Sequence, residues 1–337
     1  MNRVGRALLA LAWCASVVAA GAAETLTLTG RAMGTAWTVK IVSTDSDCDL
    51  DAIRLQVVEK LEQLEQQFST YRPNSELSRF NAATGTDWIA VAPEIARVAA
   101  ESRRISEFTD GAFDVTVESL VRLWGFGANS RGNEIPSKNE IAAARENVGW
   151  RLLDVRLSPP ALRKQRSRLT ADFSSMAKGF AADAVSALLT ASGTPNHLVQ
   201  IGGDVRSGGT VSEGSGWSIA IEQPLADAPG VAAVVVLAGR AVSTSGDSRN
   251  FFQVGRQRYG HIIDPHTGRP PTGNLASVSV VHDSCATSSA LATALFALGT
   301  EDAIRLATNE GLACLFLLRE GTGLVRHATP EFERLLR

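Results

Sequence analysis

The sequence predicts an α+β fold with largely antiparallel sheets. Amphipathic helical segments and short alternating strands follow one another in mixed order, and some strands lie close enough along the chain to form hairpins. The chain of 337 residues is longer than one hydrophobic core usually supports, so we expect one large domain or two closely joined domains. A formal net charge of −2 without any basic block argues against a nucleic-acid partner.

The predicted strands are short apolar or alternating runs bounded by turn residues. They cover residues 26–30, a turn and second strand in 31–42, a hairpin in 155–169, a strand ending at 172, a strand from 196 that ends in a Gly-Gly-Asp turn, and strands at 217–224, 231–237 and 276–281. Four basic side chains lie at the end of the 155–169 hairpin, where we expect them to be solvated: Arg163, Lys164, Arg166 and Arg168.

The predicted helices have apolar residues at helical spacing. They cover residues 50–68, a short helix opening at 75–76, 91–106, 137–148, a helix beginning near 175, and 288–298. Asp49 or Asp51 can cap the first helix, Pro93 suits the first turn of the third, and Ser137 can cap the fourth.

The N-terminus has the features of a secretory signal peptide. A short basic segment, residues 1–6, precedes the apolar run 7–20, and small residues lead to Ala23, where we expect cleavage. A stable membrane anchor needs about 20 apolar residues, and this run is shorter. The sequence therefore predicts an exported protein with a signal peptide at residues 1–23 and a folded domain at residues 24–337.

The cysteines do not form a disulfide framework. Cys14 ends a segment similar to a lipobox, but the large Trp13 directly before it makes a lipid anchor the less favoured interpretation. Removal of the signal peptide leaves Cys48, Cys285 and Cys314, an odd and sparse set without a C-x-x-C motif. We expect free buried thiols, with a single bridge as the alternative.

Residues 242–271 form the longest polar stretch between apolar strands. The segment 243–248 combines small hydroxyl residues with a glycine, a composition that brings backbone N–H groups close to an oxyanion. His261 then precedes Asp264 by three residues, and a turn follows. On composition alone, an exposed polar hairpin with a hydrogen-bonded histidine is the alternative interpretation.

A second polar feature is the predicted helix start near Ser175. Its N-terminal N–H groups, its dipole and Lys178 in its first turns together suit a diphosphate. A Gly202-Gly203-Asp204 turn follows a strand, although such a turn alone is weak support for a site.

Taken in order, these motifs resemble the ApbE family, the FAD:protein FMN transferases. The resemblance covers about residues 30–300 and rests on segments 33–37, 69–81, 109–117, 123–127, 171–183, 202–205, 217–224, 243–251 and 261–268. It implies the ApbE-like fold, with largely antiparallel sheets, packed helices and a flavin site between lobes. It also implies FAD contacts at Met33, Tyr71, Ala112, Phe113, Asp114, Lys178, Gly202, Gly203, Asp204, Ser245, Gly246 and Ile262.

The resemblance further implies a Mg²⁺ site with one departure. In the family, a backbone carbonyl at the Ser175 position and an Asp and a Thr four residues apart on a helix bind the metal. Here the Thr is Thr293, but Ser289 stands where the Asp belongs. A hydroxyl is a poor substitute for a carboxylate, so we expect a weakened or rearranged site, with Asp283 as another candidate ligand.

The implied reaction transfers FMN from FAD to a Ser or Thr hydroxyl of a target protein and releases AMP. Displacement at phosphorus depends mainly on positioning and charge neutralisation. His261 and Asp264 are the catalytic candidates, with His261 as the base. In the alternative, His261 bonds Asp264 and braces the loop. Ser245 lacks a G-x-S-x-G elbow, which disfavours a serine hydrolase.

Two other functions stay open at this point. One is a Mg²⁺-dependent FAD pyrophosphatase that yields FMN and AMP, and the other is an FAD-binding protein with little catalysis because of Ser289. The resemblance implies transient partners, the target flavoprotein subunits of membrane redox complexes, and a periplasmic location. It leaves association with the inner membrane open and favours a monomer or weak dimer.

Overall fold

A computed structural model describes residues 24–43, 49–127, 134–211, 214–225, 230–255 and 257–337. The predicted signal peptide with Cys14, the residue Cys48 and residues 128–133 lie outside the described residues. Cys285 and Cys314, which are described, are buried free thiols as expected. Within these ranges, no helix combines the length and apolar character needed to cross a membrane.

The strands confirm most of the predicted positions. They are β1 (Glu24–Ala32), β2 (Thr35–Ser43), β3 (Ile89–Ala90), β4 (Leu153–Leu157), β5 (Pro160–Lys164), β6 (His197–Ile201), β7 (Asp204–Gly208), β8 (Trp217–Glu222), β9 (Val231–Leu237), β10 (Ala241–Gly246), β11 (Phe251–Val254), β12 (Gln257–Gly260), β13 (Leu275–His282), β14 (Ala313–Glu320) and β15 (Gly323–Ala328).

The helices also agree with the amphipathic segments. They are α1 (Leu50–Phe68), α2 (Glu76–Ala82), α3 (Pro93–Phe108), α4 (Glu118–Leu123), α5 (Lys138–Arg145), α6 (Ser174–Ala191), α7 (Cys285–Leu298), α8 (Thr300–Asn309) and α9 (Pro330–Glu333). Asp49 rather than Asp51 caps α1, because its carboxylate accepts from the backbone N of Ala52 at 3.0 Å. Ser137 caps α5 in a complete capping box with Glu140.

An eight-stranded sheet in the order β1-β2-β6-β7-β10-β13-β14-β15 organises the fold. Every neighbouring pair in it is antiparallel. Smaller pairings join β3-β5-β4, β8-β9 and β11-β12. The predicted α+β class with largely antiparallel sheets is therefore confirmed.

The two faces of this sheet bury different layers. Alternate residues of β14 point to opposite sides: Cys314 and Phe316 join the main core with α1, α6 and α7, whereas Leu315 and Leu317 join a second cluster with β8, β9 and α9. β13 lies between these layers and is buried along almost its whole length. The sheet is thus covered on both faces where β10, β13 and α7 meet.

A third, smaller cluster packs aromatic residues that directly follow α4 against those of the β11–β12 hairpin. Trp124 stacks on Tyr259 with ring centroids 5.5 Å apart, and Phe126 stacks on Phe252 at 5.7 Å. Ile141 of α5 and Ile263 belong to the same cluster. This cluster carries the segment that contains His261.

One predicted strand was wrong and another is confirmed. The predicted strand ending at Asp172 is irregular chain, because the backbone of Ala171 bonds to the side chain of Asn81 rather than to a neighbouring strand. The predicted strand that ends in a Gly-Gly-Asp turn is β6, after which the chain reverses at Gly202 with φ 60° and continues as β7.

The prediction that the basic hairpin end is solvated was wrong for Lys164. Its side chain is fully buried, and its Nζ donates to the carbonyl oxygens of Asn81 at 3.0 Å and Ser167 at 3.3 Å. Burial lowers the pKa of this lysine. The carbonyl partners explain how a lysine can be accommodated inside the core.

Candidate active site

The start of α6 positions Lys178 and Ser175. Asp172 accepts from the backbone N of Ser174 at 2.8 Å, and Ser175 lies half-buried in the first turn. The Lys178 Nζ donates to the carbonyl oxygen of Ser174 at 2.9 Å, so the ammonium group folds back over the helix start. Cation and N-terminal N–H groups therefore lie at one place, as the sequence predicted for a diphosphate site.

The segment that leads into α6 is fixed from a distance. Asn81 at the end of α2 makes a pair of hydrogen bonds with the backbone of Ala171, donating to its carbonyl oxygen and accepting from its N, each at 2.8 Å. Asn81 ends the segment 69–81, but the sequence analysis assigned it no role. Its two-way amide pairing sets where α6 begins and hence where Lys178 stands.

The glycine turn between β6 and β7 lies directly beneath the Lys178 stem. A Cβ at Gly202 would come within 3.6 Å of the Lys178 Cδ and 3.2 Å of the Thr35 Oγ1. A Cβ at Gly203 would meet nothing within 4 Å, so this backbone faces open space. The turn thus leaves room for a bound molecule beside Lys178.

Asp204 follows this turn as the first residue of β7. It is only 4% exposed, and its Oδ2 has no hydrogen-bond partner among the described residues. Burial raises the pKa of its carboxyl group. The charge of Lys178 and the hydroxyls of Ser243 and Ser289 lower this pKa, but burial has the larger effect. Those hydroxyls lie beside the carboxyl group, yet neither satisfies Oδ2.

The predicted metal residues of α7 lie at the same place. The Thr293 Oγ1 donates to the carbonyl oxygen of Ser289 at 3.1 Å and lies 3.1 Å from the Ser245 Oγ. Gly246 packs tightly beside Ser245, because a Cβ there would come within 2.7 Å of the Ala276 carbonyl oxygen. The structure therefore brings the end of β10 and the inner face of α7 together.

The alternative carboxylate, Asp283, does not join this group. Its side chain is 84% exposed and pairs with Arg240, whose Nε lies 3.2 Å from Asp283 Oδ1. The expectation that Asp283 reaches a metal held by Ser289 and Thr293 receives no support from this position.

Asp183 on α6 orders the start of α7. Its carboxylate accepts from the Ser284 Oγ at 2.9 Å, the Cys285 N at 3.0 Å and the Ala286 N at 3.1 Å. The two helices approach so closely that a Cβ at Gly179 would lie 2.4 Å from the Cys285 carbonyl oxygen. Asp183 ends the segment 171–183, but the sequence analysis assigned it no role. Its hydrogen bonds fix Ser289 and Thr293 relative to Lys178.

His261 has one fixed ring nitrogen. Its Nδ1 lies 3.2 Å from the carbonyl oxygen of Asn250, which can only accept, so Nδ1 carries the proton and Nε2 is the acceptor in the neutral ring. Burial lowers the pKa of His261, and the positive charge of Lys178 lowers it further. The hydrogen bond to Asn250 and the negative charge of Asp247 act to raise it. A neutral imidazole with an available Nε2 is the form a general base needs.

Asp264 is not the partner of His261, so the alternative in which these two side chains brace each other was wrong. Its Oδ1 accepts from the backbone N of His266 at 2.9 Å and lies 3.3 Å from the His266 Nδ1. Its own backbone pairs with Arg269. Asp264 shapes the turn that follows His261, and Ile262 between them packs into the main core.

The 109–117 segment is held by a fully bonded carboxylate. Asp114 is buried, its Oδ1 accepts from both the N and the Oγ1 of Thr116 at 2.7 Å, and its Oδ2 accepts from the Trp150 N at 2.8 Å. Burial raises its pKa. Ala112 and Phe113 are also buried. FAD contacts at these three residues stay predictions.

Met33 and Arg72, the residue after Tyr71, contact one carboxylate of α1. Glu65 accepts from the Met33 backbone N at 3.0 Å and lies 3.3 Å from the Arg72 Nη2. Met33 has φ 51°, a left-handed conformation that its fixed N–H helps to hold. The Tyr71 side chain is 71% exposed, which leaves its ring free to stack on a planar group.

The oxygen groups around Ser289 fit a hard cation such as Mg²⁺. Within the described ranges, no three or more His, Cys, Asp or Glu side chains form a metal-binding group. The donors here are instead hydroxyls, carbonyl oxygens and the unpaired carboxylate oxygen of Asp204. Oxygen donors of this kind, with a single carboxylate, are usual for Mg²⁺, which retains several waters.

A cavity of about 540 Å³ has Asp247 in its wall. The β11–β12 hairpin, the segment 271–275, Phe296, Gly299 and Arg319 also line it. Asp247 lies against Gly260, the residue before His261, where an added Cβ would come within 3.0 Å of the Asp247 Cβ.

Comparison with known proteins shows the family of this chain. The model of the ApbE family matches residues 33–316. A protein of Vibrio cholerae named FAD:protein FMN transferase is 37% identical over 314 residues, which cover 93% of each chain.

Two solved structures are similar along nearly their whole length. The flavin transferase ApbE from Vibrio cholerae has a TM-score of 0.85 at 36% identity and covers 94% of this chain and 100% of its own. The flavinyl transferase ApbE from Pseudomonas stutzeri, in its apo form, has a TM-score of 0.85 at 38% identity and covers 93% of this chain and 97% of its own. On the family match and these relatives, the chain belongs to the ApbE family.

Proposed function

We propose that this protein transfers FMN from FAD to a hydroxyl of a target protein and releases AMP. Its relatives are named FAD:protein FMN transferase, and the similar structures are flavin transferases. The observation within the chain that carries the proposal is the grouping of Lys178 with Asp204 and His261. The Gly202 turn before Asp204 lies against the Lys178 stem, and the charge of Lys178 lowers the pKa of both Asp204 and His261. This group combines a cation, a base and an unpaired acceptor.

The chain's own residues account for the proton and the charge. The target hydroxyl oxygen bonds to the FMN phosphorus, and the bond from that phosphorus to the AMP oxygen breaks. His261 Nε2 takes the hydroxyl proton, because Nδ1 already donates to Asn250. Lys178 and the N–H groups at the start of α6 stabilise the negative charge on the diphosphate and on departing AMP.

The flavin site in this proposal lies between two parts of the chain. One part is the α6 start with the Gly202-Gly203 turn, and the other is the aromatic cluster that carries His261. Tyr71 stands exposed at the rim. The cavity beside Asp247 would give the target segment access to His261.

Mg²⁺ would be held by the Ser175 carbonyl oxygen, Ser289 and Thr293 together with a carboxylate. When bound, it supplies positive charge that neutralises the diphosphate. The hydrogen bonds that the α7 start donates to the Asp183 carboxylate fix the position of the α7 oxygens relative to Lys178.

The proposal includes the compartment and the partner. A signal peptide at residues 1–23 would direct the protein to the periplasm, where target flavoprotein subunits of membrane redox complexes would meet it transiently. The support is the basic, apolar and small-residue order of the N-terminus.

The test incubates the purified protein with FAD and Mg²⁺, or with FAD and EDTA, and with membranes from cells of the source organism that lack this gene. AMP and free FMN are measured by chromatography, and protein-bound flavin by fluorescence after denaturing electrophoresis. We expect Mg²⁺-dependent AMP release with a fluorescent protein band and less free FMN than AMP. Equal AMP and free FMN without a band would identify a pyrophosphatase, and FAD binding without AMP would leave a binding protein.

A further inference from the structure

The starting observation is one carboxylate oxygen. Among the described residues, three buried side-chain atoms have no hydrogen-bond partner: Gln67 Oε1, Ser277 Oγ and Asp204 Oδ2. Only the last belongs to an acid, and Asp204 is 4% exposed. A buried acceptor without a partner costs free energy, and the cost is larger for a charged group. A ligand that binds this oxygen would remove that cost.

The surroundings of Asp204 are rich in oxygen donors. The hydroxyls of Ser243 and Ser289 lie beside its carboxyl group, and the Ser245–Thr293 hydroxyl pair lies one turn along α7 from Ser289. Lys178 acts on Asp204 through its charge, but its Nζ donates to Ser174 and leaves Oδ2 unpaired. The unpaired oxygen therefore belongs to a group of hydroxyls on β10 and α7.

We propose that Asp204 supplies the carboxylate that anchors the divalent cation in this chain, with Ser289 contributing only a hydroxyl. The proposal rests on the proposed function insofar as the site takes Mg²⁺. The negative charge sits on β7 rather than on α7.

The other nearby carboxylates already have hydrogen-bond or ion-pair partners. Asp183 accepts three hydrogen bonds from the α7 start. Asp283 is 84% exposed and paired with Arg240. Asp204 is thus the acid beside Ser289 that has both burial and a free oxygen.

The experiment titrates the purified protein with Mn²⁺, without and with FAD, and follows the paramagnetic resonance signal of free Mn²⁺. Asp204→Asn keeps the shape but removes the charge, and we expect Mn²⁺ affinity to fall about tenfold or more. Asp283→Asn is the matched control and should stay within about twofold. Adding Ser289→Asp to Asp204→Asn moves the carboxylate to α7, and we expect it to restore most of the lost affinity.

The thermal unfolding midpoint of each variant is also measured, so that a loss of Mn²⁺ binding can be distinguished from a loss of folding. Asp204→Ser serves as the second uncharged variant if Asp204→Asn does not fold. Unchanged Mn²⁺ affinity in the uncharged variant overturns the proposal, as does absence of Mn²⁺ binding in the parent protein. Loss of FAD binding with Mn²⁺ binding intact also overturns it, since Asp204 would then contact the nucleotide. FAD binding and AMP release by the parent protein test the proposed function separately.

Discussion

Asp114 and Asp204 are two buried aspartates that differ in how far their carboxylate oxygens are hydrogen-bonded. Burial raises the pKa of both carboxyl groups. Asp114 accepts three hydrogen bonds, two from Thr116 and one from the Trp150 backbone, whereas Oδ2 of Asp204 has no partner among the described residues. The difference separates a carboxylate that holds the fold from one that is available to a ligand.

The same contrast extends to the neighbours of each residue. Asn81 and Lys164 belong with Asp114, since their polar atoms pair with backbone groups distant in sequence. Lys178 and His261 belong with Asp204, because each keeps a group available at the candidate site. We refer to Asn81, Asp114 and Lys164 as the bracing residues and to Lys178, Asp204 and His261 as the reaction residues. Changes in the first set should lower stability, and changes in the second should lower turnover.

The largest expected effect is at His261. His261→Gln removes the base, so we expect AMP release to fall by about 10²–10⁴. The thermal midpoint and FAD affinity should change little, because the ring makes a single hydrogen bond to Asn250. Turnover is measured by chromatography of AMP. Turnover within about threefold of the parent protein would remove His261 from the reaction residues.

The next effect is at Asp114. Asp114→Ala leaves the Trp150 and Thr116 backbone N–H groups without their acceptor, and we expect the free energy of unfolding to fall by about 3 kcal/mol. Urea unfolding measures this change, and Asp114→Asn is the control that keeps one oxygen acceptor. AMP release per folded molecule should be retained. A loss of FAD affinity without a loss of stability would instead place Asp114 at the nucleotide.

A smaller loss of stability is expected at Lys164. Lys164→Met leaves the carbonyl oxygens of Asn81 and Ser167 unpaired but ends the desolvation of the ammonium group, so we expect a net loss of about 2 kcal/mol near neutral pH. Because burial lowers its pKa, the folded protein releases this proton at a lower pH than the unfolded chain does. The free energy of unfolding attributable to Lys164 should therefore rise with pH between the lowered pKa and the ordinary lysine value of 10.5.

Urea unfolding at several pH values in that alkaline range checks the sign. The parent protein should gain stability relative to Lys164→Met as the pH rises. A difference that stays constant or shrinks would show that Lys164 is not held at a lowered pKa in the folded state.

The sequence predicted those parts of the fold that depend on local pattern. The bounds of α1 match the predicted 50–68, because its apolar spacing and its capping acid lie within one segment. The glycine turn before Asp204 and the helix start before Lys178 were also identifiable, since each follows a short motif. Their joint placement beside His261 came from the resemblance and not from spacing.

The failures share a physical cause, which is bonding to partners distant in sequence. The backbone of Ala171 pairs with Asn81, 90 residues away, and this replaced the predicted strand. Lys164 is buried for a similar reason, because one of its acceptors is the Asn81 carbonyl oxygen, 83 residues away. Asp183 finds its partners 101 to 103 residues away at the α7 start. The sequence signal for this role was Asp183 itself, an acid that ends the segment 171–183 one helical turn after Gly179.

The smallest expected effect concerns the pH dependence of His261. Burial and the charge of Lys178 lower its pKa from the ordinary histidine value of 6.5, so the neutral base persists to lower pH. The acid limb of kcat/KM for AMP release should have its midpoint below pH 6.5, and more than about half of the plateau rate should remain at pH 6.5. Lys178→Gln should move the midpoint upward even though it also weakens FAD binding. A midpoint at or above 6.5 in the parent protein, or one that Lys178→Gln leaves in place, would separate Lys178 from His261 and divide the reaction residues into independent parts.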